Sequence, residues 1–199
     1  MMKRGCWIIG LFIGLILSVQ STQAQMGFSV QNLGVNGGLT FKVPIGTFGD
    51  VAGVGFGFVV QGEYVFTPQI SILAGLGYVI YGGKDFGSYR YNYSELPLTA
   101  GAKYYLFPPG KNPMRIFLLG ELGFHRMGYA SEYQYELFGV PRVDRYSSAV
   151  VRLGLTPGAG VEMLVGNFRI DITGFMALIT GSYSNIGLRS TIHFDLPRK

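Results

Sequence analysis

The sequence predicts an all-β fold in which eight antiparallel strands close into a barrel with its apolar face outward. Three observations predict it. Apolar and polar residues alternate with period two in eight successive stretches. The connections between those stretches alternate between long and short. Charged residues are 14% of the chain, against roughly 25% in soluble domains, while 31 of 199 residues are glycine and 15% are aromatic.

The chain opens with Lys3 and Arg4, an apolar run from Gly5 to Leu17, and a polar tail ending Thr22-Gln23-Ala24. A charged start, a short apolar run and small residues at the cut are the parts of a secretory signal peptide, expected over residues 1–24. The run is shorter than the roughly 20 residues of a spanning helix. Cys6 begins it rather than following it, unlike a lipoprotein cleavage site. One barrel domain is expected over residues 25–199. It has no cysteine, so disulfide and thiol chemistry are excluded. Without Lys3 and Arg4, 14 of the 16 basic residues face 11 acidic ones, a net charge near +3. The charges are scattered, and no basic run points to nucleic acid.

Each strand follows from its alternation. Leu33, Val35, Leu39, Phe41 and Val43 oppose Asn36, Thr40 and Lys42 in the first. Phe56, Phe58, Val60, Tyr64 and Phe66 oppose Gln61 and Glu63 in the second, and Thr67-Pro68-Gln69 turns tightly. The third sets Ile70, Ile72, Leu76, Tyr78 and Ile80 against Ser71, Gly75, Gly77 and Tyr81. A polar stretch, Gly82 to Asn92, leads to the fourth, where Leu96, Leu98 and Tyr104 oppose Glu95, Thr99, Lys103 and Tyr105. The proline-rich stretch Pro108 to Pro113 cannot be sheet interior. In the fifth, Ile116, Leu118, Leu122 and Phe124 oppose Glu121 and His125, and a long Tyr-rich loop follows, about Gly128 to Tyr146. The sixth and seventh form a hairpin about Gly166-Asn167, a pair suited to a type II′ turn. That turn pairs Val165 with Phe168, Met163 with Ile170, and Glu162 with Asp171. The eighth sets Ile186, Leu188, Ile192 and Phe194 against Arg189, Thr191, His193 and Asp195.

Alternation alone does not say which face meets water, since a soluble barrel turns its apolar face inward. The polar face decides. A water-facing exterior would be dense in Lys and Glu, whereas this one is mostly Gly, Ser and Thr, which suit a narrow lumen. Tyr64, Phe66, Tyr104, Phe107, Phe168 and Phe194 gather near one set of strand ends, where an interfacial aromatic girdle belongs. The expectation is an eight-stranded antiparallel transmembrane β-barrel with short turns in the periplasm and longer connections outside.

The Gln-Ala-Gln junction at Gln23 to Gln25, the Glu95-Leu96-Pro97-Leu98 strand leading to Lys103-Tyr104-Tyr105, and the closing strand Ile186 to Leu196 carry a resemblance. With them the whole mature chain resembles the small OmpA/OmpX-like outer-membrane barrels, in particular the porin-like barrel-domain proteins of Bacteroidetes. It departs from them at its end, where Phe194 is followed by Asp195-Leu196-Pro197-Arg198-Lys199 rather than closing the chain on an aromatic residue. The resemblance implies a Gram-negative cell envelope, with outer-membrane lipids and lipopolysaccharide as surroundings and a monomeric barrel.

An eight-stranded lumen is only just wide enough for its own side chains. Glu63, Lys103, Glu121, Arg152, Glu162, Arg169, Asp171 and Arg189 are therefore expected to pair within it, with Lys42, Glu95, Asp195 and His193 on the same face. Glu162 opposite Asp171 requires a cation between them, with Arg169, Lys103 and Arg189 as candidates. This reading gives a plugged barrel; a narrow porin-like channel is the alternative. An outer-leaflet hydrolase would need Ser, His and an acid together. His125 has Phe124 and Arg126 beside it, with Ser131 and Glu132 further on, so no enzyme is expected. No His-x-His or carboxylate motif points to a metal, and Gly53-Val54-Gly55-Phe56-Gly57 lacks phosphate-binding spacing, so no cofactor is expected. Tyr89, Tyr91 and Tyr93 alternate, as do Tyr133 and Tyr135, which suggests that strands project beyond the membrane as ribbons; with Arg142 these tyrosines could take a surface protein partner.

Overall fold

The computed structural model describes residues 33–86, 89–107, 113–138, 140–166 and 168–195. The expected signal peptide, residues 1–24, lies outside them, as do residues 108–112 and Asn167. Eight strands form: Leu33–Pro44 (β1), Ala52–Thr67 (β2), Ile70–Phe86 (β3), Tyr89–Tyr105 (β4), Met114–Leu137 (β5), Val140–Val165 (β6), Phe168–Ile179 (β7) and Asn185–Asp195 (β8). Each pairs antiparallel with its chain neighbour, and β1 closes the ring on β8.

Registers follow from the turns. Thr67 Oγ1 accepts the Ile70 N–H at 3.0 Å and so closes the β2–β3 turn. Gly166 sits at φ +61°, the left-handed value needed at the first central position, and Val165 pairs with Phe168 beyond it. Met163 then faces Ile170, and Glu162 faces Asp171, as the pattern predicts.

Outward residues are apolar and exposed on every strand, among them Leu39, Phe58, Ile80, Leu98, Phe124, Leu155, Met176 and Leu188. No described helix is long and apolar enough to cross a membrane. The buried core is the lumen itself. At the end bearing the short turns (the turn end) it holds Leu73, Tyr105, Phe117 and Leu119. At the opposite, ribbon end it holds Val79, Tyr81 and Met127. Inward glycines make room for these rings: a Cβ on Gly55 would lie 2.6 Å from the Tyr81 ring, and one on Gly160 2.6 Å from Phe117 Cζ.

Two expectations are corrected. The stretches Gly82 to Asn92 and Gly128 to Tyr146 are not loops, because the strands continue through them. β3 and β4 extend to Phe86 and Tyr89, and β5 and β6 pair as far as Leu137 with Val140. The alternating tyrosines keep a two-faced ribbon going beyond the apolar belt. β5 has 24 residues, which at about 3.3 Å each and a 40° tilt rise about 60 Å, over twice a 25 Å apolar band. β7 has 12 residues and pairs with β6 only as far as Gly154, so the wall is tall on one side. A short helix, Thr47–Val51 (α1), follows β1, where the pattern predicts none. Its Phe48 is buried and packs edge-on against Tyr81, Tyr93 and Tyr183 at the ribbon end of the lumen.

Candidate functional site

The inward face gathers its charged and polar groups into three tiers. Each tier joins strands far apart in the chain, because closing the ring brings them together.

At the turn end, Asp171 on β7 and Glu162 on β6 face each other and are held by different cations. Lys103 Nζ on β4 lies 2.5 Å from Asp171 and 3.0 Å from Glu63 on β2. Glu63 also accepts the Asn36 amide at 2.9 Å. The His193 ring spans the two carboxylates, 3.3 Å from Glu63 and 2.8 Å from Asp171. Glu162 receives Arg115 at 2.5 Å, the Tyr105 hydroxyl at 2.8 Å and Arg169 at 3.5 Å. The cation expected between the two acids is thus divided. Lys103 takes Asp171, while Glu162 takes Arg169 and Arg115, which pattern reading misses beside Pro113. Arg115 also stacks over the Tyr105 ring, 3.9 Å from its centroid.

In the middle, Arg189 on β8 makes a two-pronged pair with Glu121 on β5, both bonds 2.9 Å, and Gln61 donates to the same carboxylate at 2.7 Å. Such forked charge-assisted pairs fix orientation as well as charge. Arg189 therefore serves Glu121 and not the Glu162–Asp171 pair.

At the ribbon end, Glu95 on β4 collects Lys42 at 2.7 Å, His125 at 2.7 Å and the Tyr81 hydroxyl. Asn185 donates to Tyr81 at 3.4 Å, and Phe48 sits above. Arg152 stands apart. It lies against the Gly181 turn, with no acid partner among the described residues. The side chain of Asp195 lies outside the described residues.

Between the middle and ribbon-end tiers is a cavity of about 20 Å³, bordered by Lys42, Glu121, His125 and Arg189. That volume holds about one water. One ligand atom each from Glu63, Glu162 and His193 comes within 4.8 Å of the others. Sequence spacing could not show this grouping, since the three sit on β2, β6 and β8. Their carboxylates are already engaged by Lys103, Arg115 and Arg169. His125 has an orienting acid in Glu95, yet its Nε2 lies against Gly154 with no hydrogen-bond partner among the described residues. A nucleophile would have to stand there.

Of the tyrosines expected to meet a partner, Tyr91, Tyr133 and Tyr135 share the strand phase of the inward residues Glu95 and His125. Tyr133 and Tyr135 stack at 5.5 Å, and Arg142 pairs across from Tyr135. On β4, Tyr91 pairs across from Ser131, one inward position nearer the belt. The side chain of Tyr89 lies outside the described residues, although its backbone pairs with Tyr133. Below them, partial burial and then its Tyr183 neighbour raise the Tyr93 phenol above its ordinary value.

The outward apolar belt, the closed ring and the inward-facing charges define an eight-stranded antiparallel transmembrane β-barrel. Solved structures share that fold. Neisserial surface protein A is 15% identical with a TM-score of 0.58, over 83% of this chain and 97% of that one. A major outer membrane protein from Thermus thermophilus is 12% identical with a TM-score of 0.50, over 81% of this chain and 98% of that one. No protein-family model matches the sequence, and no curated protein sequence does. The likeness is one of architecture, that of the small outer-membrane barrels.

Proposed function

We propose that the chain is a non-enzymatic outer-membrane barrel with a plugged lumen, which displays the β5–β6 ribbon at the cell surface for contact with another protein. One observation carries the reading: three tiers of paired side chains cross the lumen, while the strands on one side continue far beyond the belt. The turn end then faces the periplasm, and residues 1–24 act as the export signal. Lipopolysaccharide and outer-membrane lipids surround a monomeric barrel.

The ribbon tip supports a role in contact. Phe138 is 96% exposed, with Leu137 beside it, and sits at φ +53°. A bulky side chain in the left-handed region is costly to hold, and an exposed apolar tip serves no fold of its own. His125 held inside the lumen against Gly154 supports a non-enzymatic role.

Two measurements test this. In planar bilayers the protein should give no steady single-channel steps; regular steps would replace the plug with the narrow porin-like channel. Deleting Ser131 to Asp144 should abolish surface complexes while the heat-modifiable gel shift of a folded barrel persists. Complexes unchanged by the deletion would remove the surface role.

A further inference from the structure

The outward face of the tall wall carries a hollow of mixed polar and apolar lining that the apolar belt does not account for. Cross-strand register builds it row by row. In the belt, Leu98, Phe124 and Leu153 lie side by side on β4, β5 and β6. The next row toward the ribbon is Leu96, Arg126 and Val151. Above it the side chains shrink, first to Ser94, Gly128 and Ala149, then to Asn92, Ala130 and Ser147. Missing side-chain volume leaves an open hollow of about 490 Å³, with Arg126 at its lower edge and Tyr78 and Ile80 alongside. In the following row Glu132 pairs with Arg145 at 2.9 Å, so that outward cation is already neutralised. Arg126 is exposed and has no acid partner among the described residues.

Its height is informative. From Met114, the first outward residue of β5, Arg126 is twelve residues further along, about 30 Å up the barrel axis at 3.3 Å per residue and 40° tilt. An apolar band is about 25 Å tall, so the guanidinium emerges just above it, at the level of the outer-leaflet headgroups.

We propose that this hollow is a binding site for the phosphorylated sugar headgroup of an outer-leaflet glycolipid. Arg126 takes a phosphate monoester as a forked charge-assisted pair. Asn92, Ser94 and Ser147 supply donors for the remaining phosphate and sugar oxygens. The acyl chains descend over Ile80, Leu98 and Phe124. Charge complementarity and continuity with the apolar belt select a lipid over a soluble phosphate. The site rests on the outer-membrane reading above.

The test uses the full barrel folded in octyl glucoside, which carries no phosphate, with lipid A as probe and native mass spectrometry as readout. Wild type should retain lipid A, and retain it about tenfold less after the lipid's phosphates are removed. Arg126→Gln should lower retention by a similar factor, whereas Arg145→Gln should leave it unchanged. Heat-modifiable migration of each variant shows that it is folded. Equal retention of the dephosphorylated lipid, or full retention by a folded Arg126→Gln barrel, would overturn the site and leave the outer-membrane assignment standing. Absence of the protein from outer-membrane fractions would instead remove the assignment.

Discussion

Lys103→Met removes the cation that holds two carboxylates together and keeps most of the side chain's length. Lys103 is 3% exposed, 2.5 Å from Asp171 and 3.0 Å from Glu63, and its ammonium lies 5.1 Å from the Phe117 ring centroid. The methionine stem can still pack on Phe117, so lost volume contributes little. What remains is two buried acids facing each other with one shared charge gone. Breaking such a buried arrangement from one side costs about 3–5 kcal/mol. With a urea slope of about 2 kcal/mol per molar, the unfolding midpoint in lipid vesicles should fall by about 1.5–2.5 M. Arg145→Met is the comparison. That residue pairs with Glu132 at 2.9 Å but is 76% exposed, so its loss should cost below about 1 kcal/mol. The same reasoning predicts recovery. Adding Glu63→Gln and Asp171→Asn to Lys103→Met removes the stranded charges, and stability should return to within about 1–2 kcal/mol of wild type. If Lys103→Met unfolded no more easily than Arg145→Met, the tiers would not be what holds the lumen. If the triple variant were no better than the single, charge would not be the reason.

Two further substitutions probe other parts of the interior by the same unfolding assay. A Cβ at Gly160 would lie 2.5 Å from the Ile172 carbonyl oxygen, so Gly160→Ala must push β7 and should cost about 1–3 kcal/mol; no loss would mean the strands have slack there. Tyr81→Phe deletes the hydroxyl that donates to Glu95, a bond to a buried charge worth about 1.5–3 kcal/mol, and a neutral result would demote that tier to filler.

Period-two alternation makes the strands legible, because each residue's face is set by its parity once one neighbour is placed. The Gly166 turn then sets the register of Glu162 against Asp171 without any tertiary information. Other features are not local. Glu121 and Arg189 are 68 positions apart and meet only after the ring closes, so no spacing rule could pair them. Arg115 stands two residues past Pro113, where turn chemistry masks the start of a strand. The five residues of α1 are too few to show a helical period, and Phe48 reads as one more aromatic until Tyr81, Tyr93 and Tyr183 surround it. The tall strands are half legible: their alternating tyrosines suggest ribbons, but without the aliphatic partners that mark a membrane crossing the strand ends stay unplaced, and Gly128 to Tyr146 reads as a loop.

The contact between Gly55 and Tyr81 limits how this sequence can drift. A side chain at position 55 would meet the Tyr81 ring at 2.6 Å, and that ring is pinned by Glu95 on one side and Phe48 on the other. Neither position can change alone without disturbing the other. A larger residue at 55 becomes admissible only after position 81 shrinks, and shrinking 81 first strips Glu95 of a donor. Every single-step route between the two arrangements therefore passes through a weakened barrel, so related chains should carry either both residues or neither.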